Sequence, residues 1–232
     1  MSGQPVGPVG GNVPDFASIQ RYAVNRAGDY EVYRQSLYDF QSYATAGTTT
    51  QYTFFAIPQG QSSKTLADTN MENAGSLPAP KHFLIQSIEI VLFPGVNPVT
   101  VNNAADTTVD ATNFTNDMWT ILKAGYLKLF IGSKDYLVEA PLMRFPPKTR
   151  IHPEFGFGVQ IGQASAADLV GQISGDYATA GGRPYWINPW ILLTPTQNFN
   201  VTLNFPTTTA TPSGQNARIG VILDGILYRL SQ

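Results

Sequence analysis

A chain of 232 residues (25.2 kDa) with no cysteine, two histidines, 21 glycines, 17 prolines and 13% charged side chains excludes several classes at once. This length buries most of what the unfolded chain exposes, so no staple is required; without cysteine there is no disulfide scaffold, thiolate nucleophile or Cys-ligated zinc. At 43% hydrophobic and 12% aromatic the chain is too apolar for disorder, while its charged share is about half of the usual quarter.

Residues 1–13 (MSGQPVGPVGGNV) are rich in glycine and proline and read as an extended arm, taken as flexible over residues 1–28. The start lacks a basic n-region and an apolar h-region, and no run of 18 apolar residues occurs, so neither a signal peptide nor a membrane span is expected. Asp29 then caps a stretch in which Tyr30, Tyr33, Leu37 and Phe40 recur at three- and four-residue steps. Residues 29–50 read as an amphipathic helical or extended segment, and the spacing favours the helix.

From residue 51 onward, runs rich in Val, Ile, Thr and aromatics alternate with Gly, Pro, Asn and Ser. Eight strands are expected, at residues 51–58, 82–93, 126–131, 136–143, 155–161, 185–194, 198–205 and 217–230. Strand 198–205 alternates cleanly, with Phe199, Val201, Leu203 and Phe205 on one face. Strand 82–93 has Leu84, Ile88, Ile90 and Leu92 on one face and Phe83, Ile85, Val91 and Phe93 on the other, so both faces should meet protein. Asp224-Gly225 fits either a type I′ hairpin or a bulge in one long strand, and the single bulged strand is preferred. Residues 116–124 (NDMWTILKA) read as a short helix closed by Gly125.

Lettered B to I in chain order, these strands have tight turns between D and E and between G and H. The connections B to C, C to D and F to G are long. An all-β fold of two antiparallel four-stranded sheets, B-I-D-G facing C-H-E-F, satisfies that pattern as a jelly roll over residues 51–232. The Gly/Pro-rich arm, the amphipathic segment, the eight strands and the helix between C and D resemble a single jelly-roll capsid protein of an icosahedral virus. The stretch 125–147 (GYLKLFIGSKDYLVEAPLMRFPP) resembles structural proteins of bacterial viruses. The resemblance implies a location in the virion and, as partners, copies of this chain and other virion proteins. One departure is that the first 28 residues carry only Arg21 and Arg26 against Asp15. An arm of that kind ties subunits together or meets an inner membrane or layer rather than the genome. Net charge is −2 and the only cations beyond residue 150 are Arg183, Arg218 and Arg229, so there is no strong nucleic-acid signature.

Few residues suit chemistry. His82 and His152 are the only imidazoles, too few for a cupin-type metal centre, and both read as structural or surface residues. The G-x-S-x-G, Walker A and G-x-G-x-x-G patterns are absent. Gly181-Gly182-Arg183 reads as a loop before a strand, where glycine supplies positive φ, rather than an anion site. Glu89 and Glu139 would share a sheet two strand spacings of about 4.8 Å apart, near the upper limit for a glycosidase pair, but ion pairing is the simpler reading. Tyr185, Trp186 and Trp190 (PYWINPW) fit core or subunit packing better than a sugar platform. The sequons at Asn113 and Asn200 are common by chance in such a chain, and Asp106 with Asp110 fits no EF-hand pattern.

The expected function is therefore a non-enzymatic capsid protein with no cofactor and no metal. It self-associates through strand faces, loops and arm, with Tyr30, Tyr33, Leu37, Phe40, Phe83, Ile85, Val91 and Phe93 as the expected subunit contacts. The alternative is a carbohydrate- or receptor-binding β-sandwich such as a viral spike or fibre head.

Overall fold

The computed structural model describes residues 30–93, 95, 111–148, 150–159, 169–178 and 184–230. The chain is mostly β, and its strands are β1 (Tyr30–Tyr43), β2 (Gln51–Phe54), β3 (His82–Phe93), β4 (Tyr126–Ile131), β5 (Lys134–Glu139), β6 (Arg150–Val159), β7 (Leu169–Ala178), β8 (Tyr185–Leu193), β9 (Phe199–Asn204) and β10 (Ala217–Leu230). Helix α1 (Ala111–Ala124) joins β3 to β4, and a 3-10 turn over Leu142–Arg144 follows β5. One antiparallel sheet has the order β1-β10-β3-β8 and a second has the order β2-β9-β4-β5, while β6 and β7 pair as a separate hairpin.

The two sheets share one core. Leu37, Phe83, Ile85, Ile88, Val221 and Leu223 of the first join Phe54, Leu127, Leu129, Val201 and Leu203 of the second in a single buried cluster. At one end Tyr43 stacks on Tyr52 with ring centroids 5.2 Å apart, and Phe205 meets Tyr43 edge-on at 5.8 Å, geometries that suit the ring quadrupoles. The sheets are also pinned by Asp39, fully buried on β1, which accepts the Phe55 N–H just beyond β2 at 2.6 Å and pairs with Lys64 of the following loop.

Five expectations change. Residues 30–43 form a strand rather than a helix, because β1 pairs with β10 along its whole length, from Tyr30 opposite Leu230 to Tyr43 opposite Ala217. Leu37, Asp39 and Tyr43 point into the core while Arg34 and Phe40 do not, an alternation of period two that the aromatic spacing had masked. Pairing with a central strand outweighs local preference. The partition of strands also differs, since the strand expected as C (β3) lies in a sheet with those expected as I and G, and the one expected as B (β2) lies with H, D and E. A strand at Leu169–Ala178 was not expected, and α1 starts five residues earlier than the 116–124 reading.

The fifth change concerns β3. The last strand runs unbroken from Ala217 to Leu230, as preferred, and its ladder with β3 slips between Asp224 and Gly225. Asp224 faces Ser87 and Gly225 faces Ile85, so the extra residue is Gln86 on β3. That bulge exchanges the faces of β3 part-way along. Phe83 and Ile85 before it, and Ile88, Ile90 and Leu92 after it, all enter the core. Leu84, Glu89, Val91 and Phe93 are left on the outside. Gly225 is required here because a Cβ would sit 2.0 Å from the Leu84 carbonyl oxygen.

Candidate functional site

The outer face of the β1-β10-β3-β8 sheet gathers most of the side chains singled out above. Residues opposite one another in a ladder share a face, so register assigns this surface. Across its middle run Ser36 on β1, Asp224 on β10 and Ser87 and Glu89 on β3. Asp224 and Glu89 are both 4% exposed, and two buried carboxylates require partners. Asp224 accepts from Arg34 Nη2 at 2.7 Å, from Ser36 Oγ at 2.9 Å and from Lys148. Lys148 also reaches Glu89, with Nζ 3.3 Å from Oε1 and its backbone N–H donating to Oε2 at 2.9 Å.

Lys148 is positioned by the strand that carries Glu89. After the 3-10 turn the chain runs beside β3 beyond its contact with β8, where Ile90 N–H donates to the Phe145 carbonyl at 2.9 Å. Burial alone would push the Asp224 carboxyl up; the hydrogen bonds from Arg34, Lys148 and Ser36 outweigh it and hold the group below the usual carboxylate range. Two acids are thus matched by two cations in a balanced network. Its chemical capacity is to clasp the segment around Lys148 to the sheet; each carboxylate is already engaged.

On one side of this network lies an apolar cluster of Leu84, Ile226 and Tyr228 with Trp190 and Leu192 packed on it. Burial pushes the Tyr228 phenol up to about 12. Trp186, opposite Ser87, is 57% exposed beside it. On the other side Phe40 and Phe93 lie 6.1 Å apart, the Arg218 guanidinium sits 4.6 Å from the Phe40 ring, and Arg218 is paired with Asp68 at 2.8 Å. Phe40, Arg218, Lys64 and Asp68 line an open groove of about 510 Å³.

The eight expected contact residues separate on this map. Leu37, Phe83 and Ile85 are buried in the core and unavailable to a neighbour, because β1 is a strand and the Gln86 bulge turns the early part of β3 inward. Tyr33 packs against the core beneath Arg229, whose guanidinium is 5.3 Å from its ring. Phe40, Val91 and Phe93 do reach the outer face, and Tyr30 stands at the start of β1 opposite Leu230.

Glu89 and Glu139 fall in different sheets. Glu139 on β5 pairs with Arg144 and accepts from Tyr185 Oη at 3.0 Å, and burial, followed by that hydrogen bond, pushes the Tyr185 phenol up. The two carboxylates therefore do not have the shared-sheet spacing expected of them. His82 Nδ1 lies 3.1 Å from the Pro80 carbonyl, and His152 is on strand β6 rather than in a loop. Gly181-Gly182-Arg183, Asp106 and Asp110 lie outside the described residues. Among the described residues no group of three or more His, Asp or Glu is placed to hold a metal, and no helix is long and apolar enough to cross a membrane.

Asp39, Lys64, Asp224 and Lys148 were not among the residues expected at a site. A signal existed for the acids, because a lone carboxylate inside an apolar strand, as in ARIGVILDGILYRL, has to be paired. No family model, curated protein or solved structure matches this chain.

Proposed function

We propose that this chain is the subunit of a self-assembling protein shell, a viral capsid protein built on a jelly roll. The supporting observation is the strand order. With β1 lettered B, β2 to β5 become C to F, and β8, β9 and β10 become G, H and I. The sheets β1-β10-β3-β8 and β2-β9-β4-β5 then read B-I-D-G and C-H-E-F, the arrangement of a jelly roll. The β6–β7 hairpin becomes an insertion between F and G. This reading moves the first letter to residues 30–43.

A fold does not by itself confer a function, and a second property supports this one. The chain carries few charges, and its large exposed apolar side chains include Val32, Phe93, Tyr136, Val138 and Trp186. Such residues anchor protein–protein contacts. A shell role needs no catalysis and fits carboxylates that are committed to ion pairs. Trp186 favours a second reading, a carbohydrate- or receptor-binding sandwich, because an exposed indole on a sheet face suits stacking on a sugar. Size-exclusion chromatography with light scattering, alongside a glycan array, separates the two. Large homogeneous assemblies without glycan binding support the shell, whereas a monomer or lone trimer that binds glycans through Trp186 supports the second reading.

A further inference from the structure

Strand β1 is an edge strand, paired with β10 on one flank only. On its other flank the outward backbone groups belong to even-numbered residues. Tyr38 N–H donates to Asn70 Oδ1 at 3.0 Å and Asn70 Nδ2 donates to the Ser36 carbonyl at 2.8 Å. Asn70 N–H donates to the Tyr38 carbonyl at 3.4 Å and Phe40 N–H to the Asp68 carbonyl at 2.8 Å. Asp68 and Asn70 thus imitate a short strand and blunt the edge over residues 36–40, a common guard against strand-to-strand association. Val32 and Arg34 have no such cover. Among the described residues their outward N–H and C=O groups find no partner, and both residues are exposed.

We propose that this open stretch of β1, residues 30–35, pairs antiparallel with the same stretch of a second copy about a two-fold axis, joining the two β1-β10-β3-β8 sheets edge to edge. The inference rests on the shell reading and names one of its contacts. Opposed residues in a ladder point to the same face, so identical edges register on a single residue. Registers centred on Val32 or Tyr33 both draw the N–H groups of Val32 and Arg34 into hydrogen bonds. A register centred on Arg34 would oppose two like charges and would also set Val32 against Ser36, whose carbonyl is already taken by Asn70. The edge is therefore open over a length that the chain's own β1 fills, and it is closed where further sliding would begin.

The test uses the full chain. Because Val32 N–H points away from β10, Val32→Pro removes only the outward donor and leaves the β10 ladder intact. Two hydrogen bonds are lost per pair of copies, and self-association by sedimentation should weaken about 30-fold with the circular dichroism spectrum unchanged. Should the variant misfold, hydrogen exchange on the unmodified chain decides, with the Val32 and Arg34 amides becoming protected as concentration rises while that of Tyr38 is protected throughout. Association with the Val32 and Arg34 amides still exchanging freely overturns this contact and leaves the shell reading standing. No association at any concentration overturns both.

Discussion

Replacing Lys64 by methionine tests the buried pair that pins the two sheets. Asp39 is fully buried and the Lys64 side chain is 11% exposed, so water cannot substitute for either partner. With Lys64 gone, Asp39 keeps the Phe55 N–H, at 2.6 Å, but loses its cation. Breaking a buried pair on one side costs about 3–5 kcal/mol, which at an m-value of about 3 kcal/mol per molar lowers the urea midpoint by about 1 M or more. The sign with pH is fixed by Asp39. Burial pushes its carboxyl above 3.8 even with Lys64 donating to it, and removing Lys64 pushes it further. A group whose folded pKa is raised stabilises fully below its unfolded pKa and loses that contribution as pH rises through the folded value. The Lys64→Met penalty should therefore be largest near pH 7 and shrink as pH falls into the acid range. The double variant Asp39→Asn with Lys64→Met, which removes both charges and keeps an acceptor for Phe55, should recover most of the loss. A Lys64→Met midpoint within about 0.2 M of the parent at pH 7 would show that Lys64 does not hold a buried pair, since the cost would then lie far below that of a broken one.

Phe83→Ala should cost about 3–5 kcal/mol and Phe93→Ala about 1 kcal/mol in urea unfolding, because the Gln86 bulge turns Phe83 inward and leaves Phe93 36% exposed; equal costs would place the bulge elsewhere. Gly225→Ala drives a Cβ against the Leu84 carbonyl and should lose about 1–3 kcal/mol, whereas Gly132→Ala, with open space around it, should show only the strain of its positive φ, about 1–2 kcal/mol. Asp224 behaves oppositely to Asp39 with pH. Its carboxyl is held below 3.8, so its stabilising contribution is present above the unfolded pKa and disappears as pH falls through the folded value. The stability gap between the parent and Asp224→Ala should be wide at pH 7 and narrow progressively below about pH 4; a gap that stays constant down to pH 2 would contradict the assignment.

Apart from β7, the strands from β3 onward were legible largely because their apolar runs are bounded by glycine, proline and asparagine, and β3, β4 and β10 occupy the residues expected. Strand β1 was not, for a physical reason. Its inward row includes the buried Asp39 and its outward row includes Phe40, so hydropathy alternates poorly while the aromatics fall at helical spacing. Missing that one strand put β2, β3 and β4 in the wrong sheets. Strand β7 (LVGQISGDYA) was hidden by its glycines, which read as loop. The faces of β3 depend on a single extra residue, Gln86, whose effect follows from the ladder with β10 and not from the local pattern. The ion pairs were invisible because they are tertiary: Arg34 and Asp224 are 190 residues apart in the chain, and nothing local to either marks the other.

Electron microscopy of the purified chain shows directly whether it builds a shell. A shell subunit should form closed shells or discrete capsomers of uniform size, with first-sheet edges in contact between neighbouring copies. A preparation that remains monomeric at high protein concentration, with no ordered particle in any field, would contradict it.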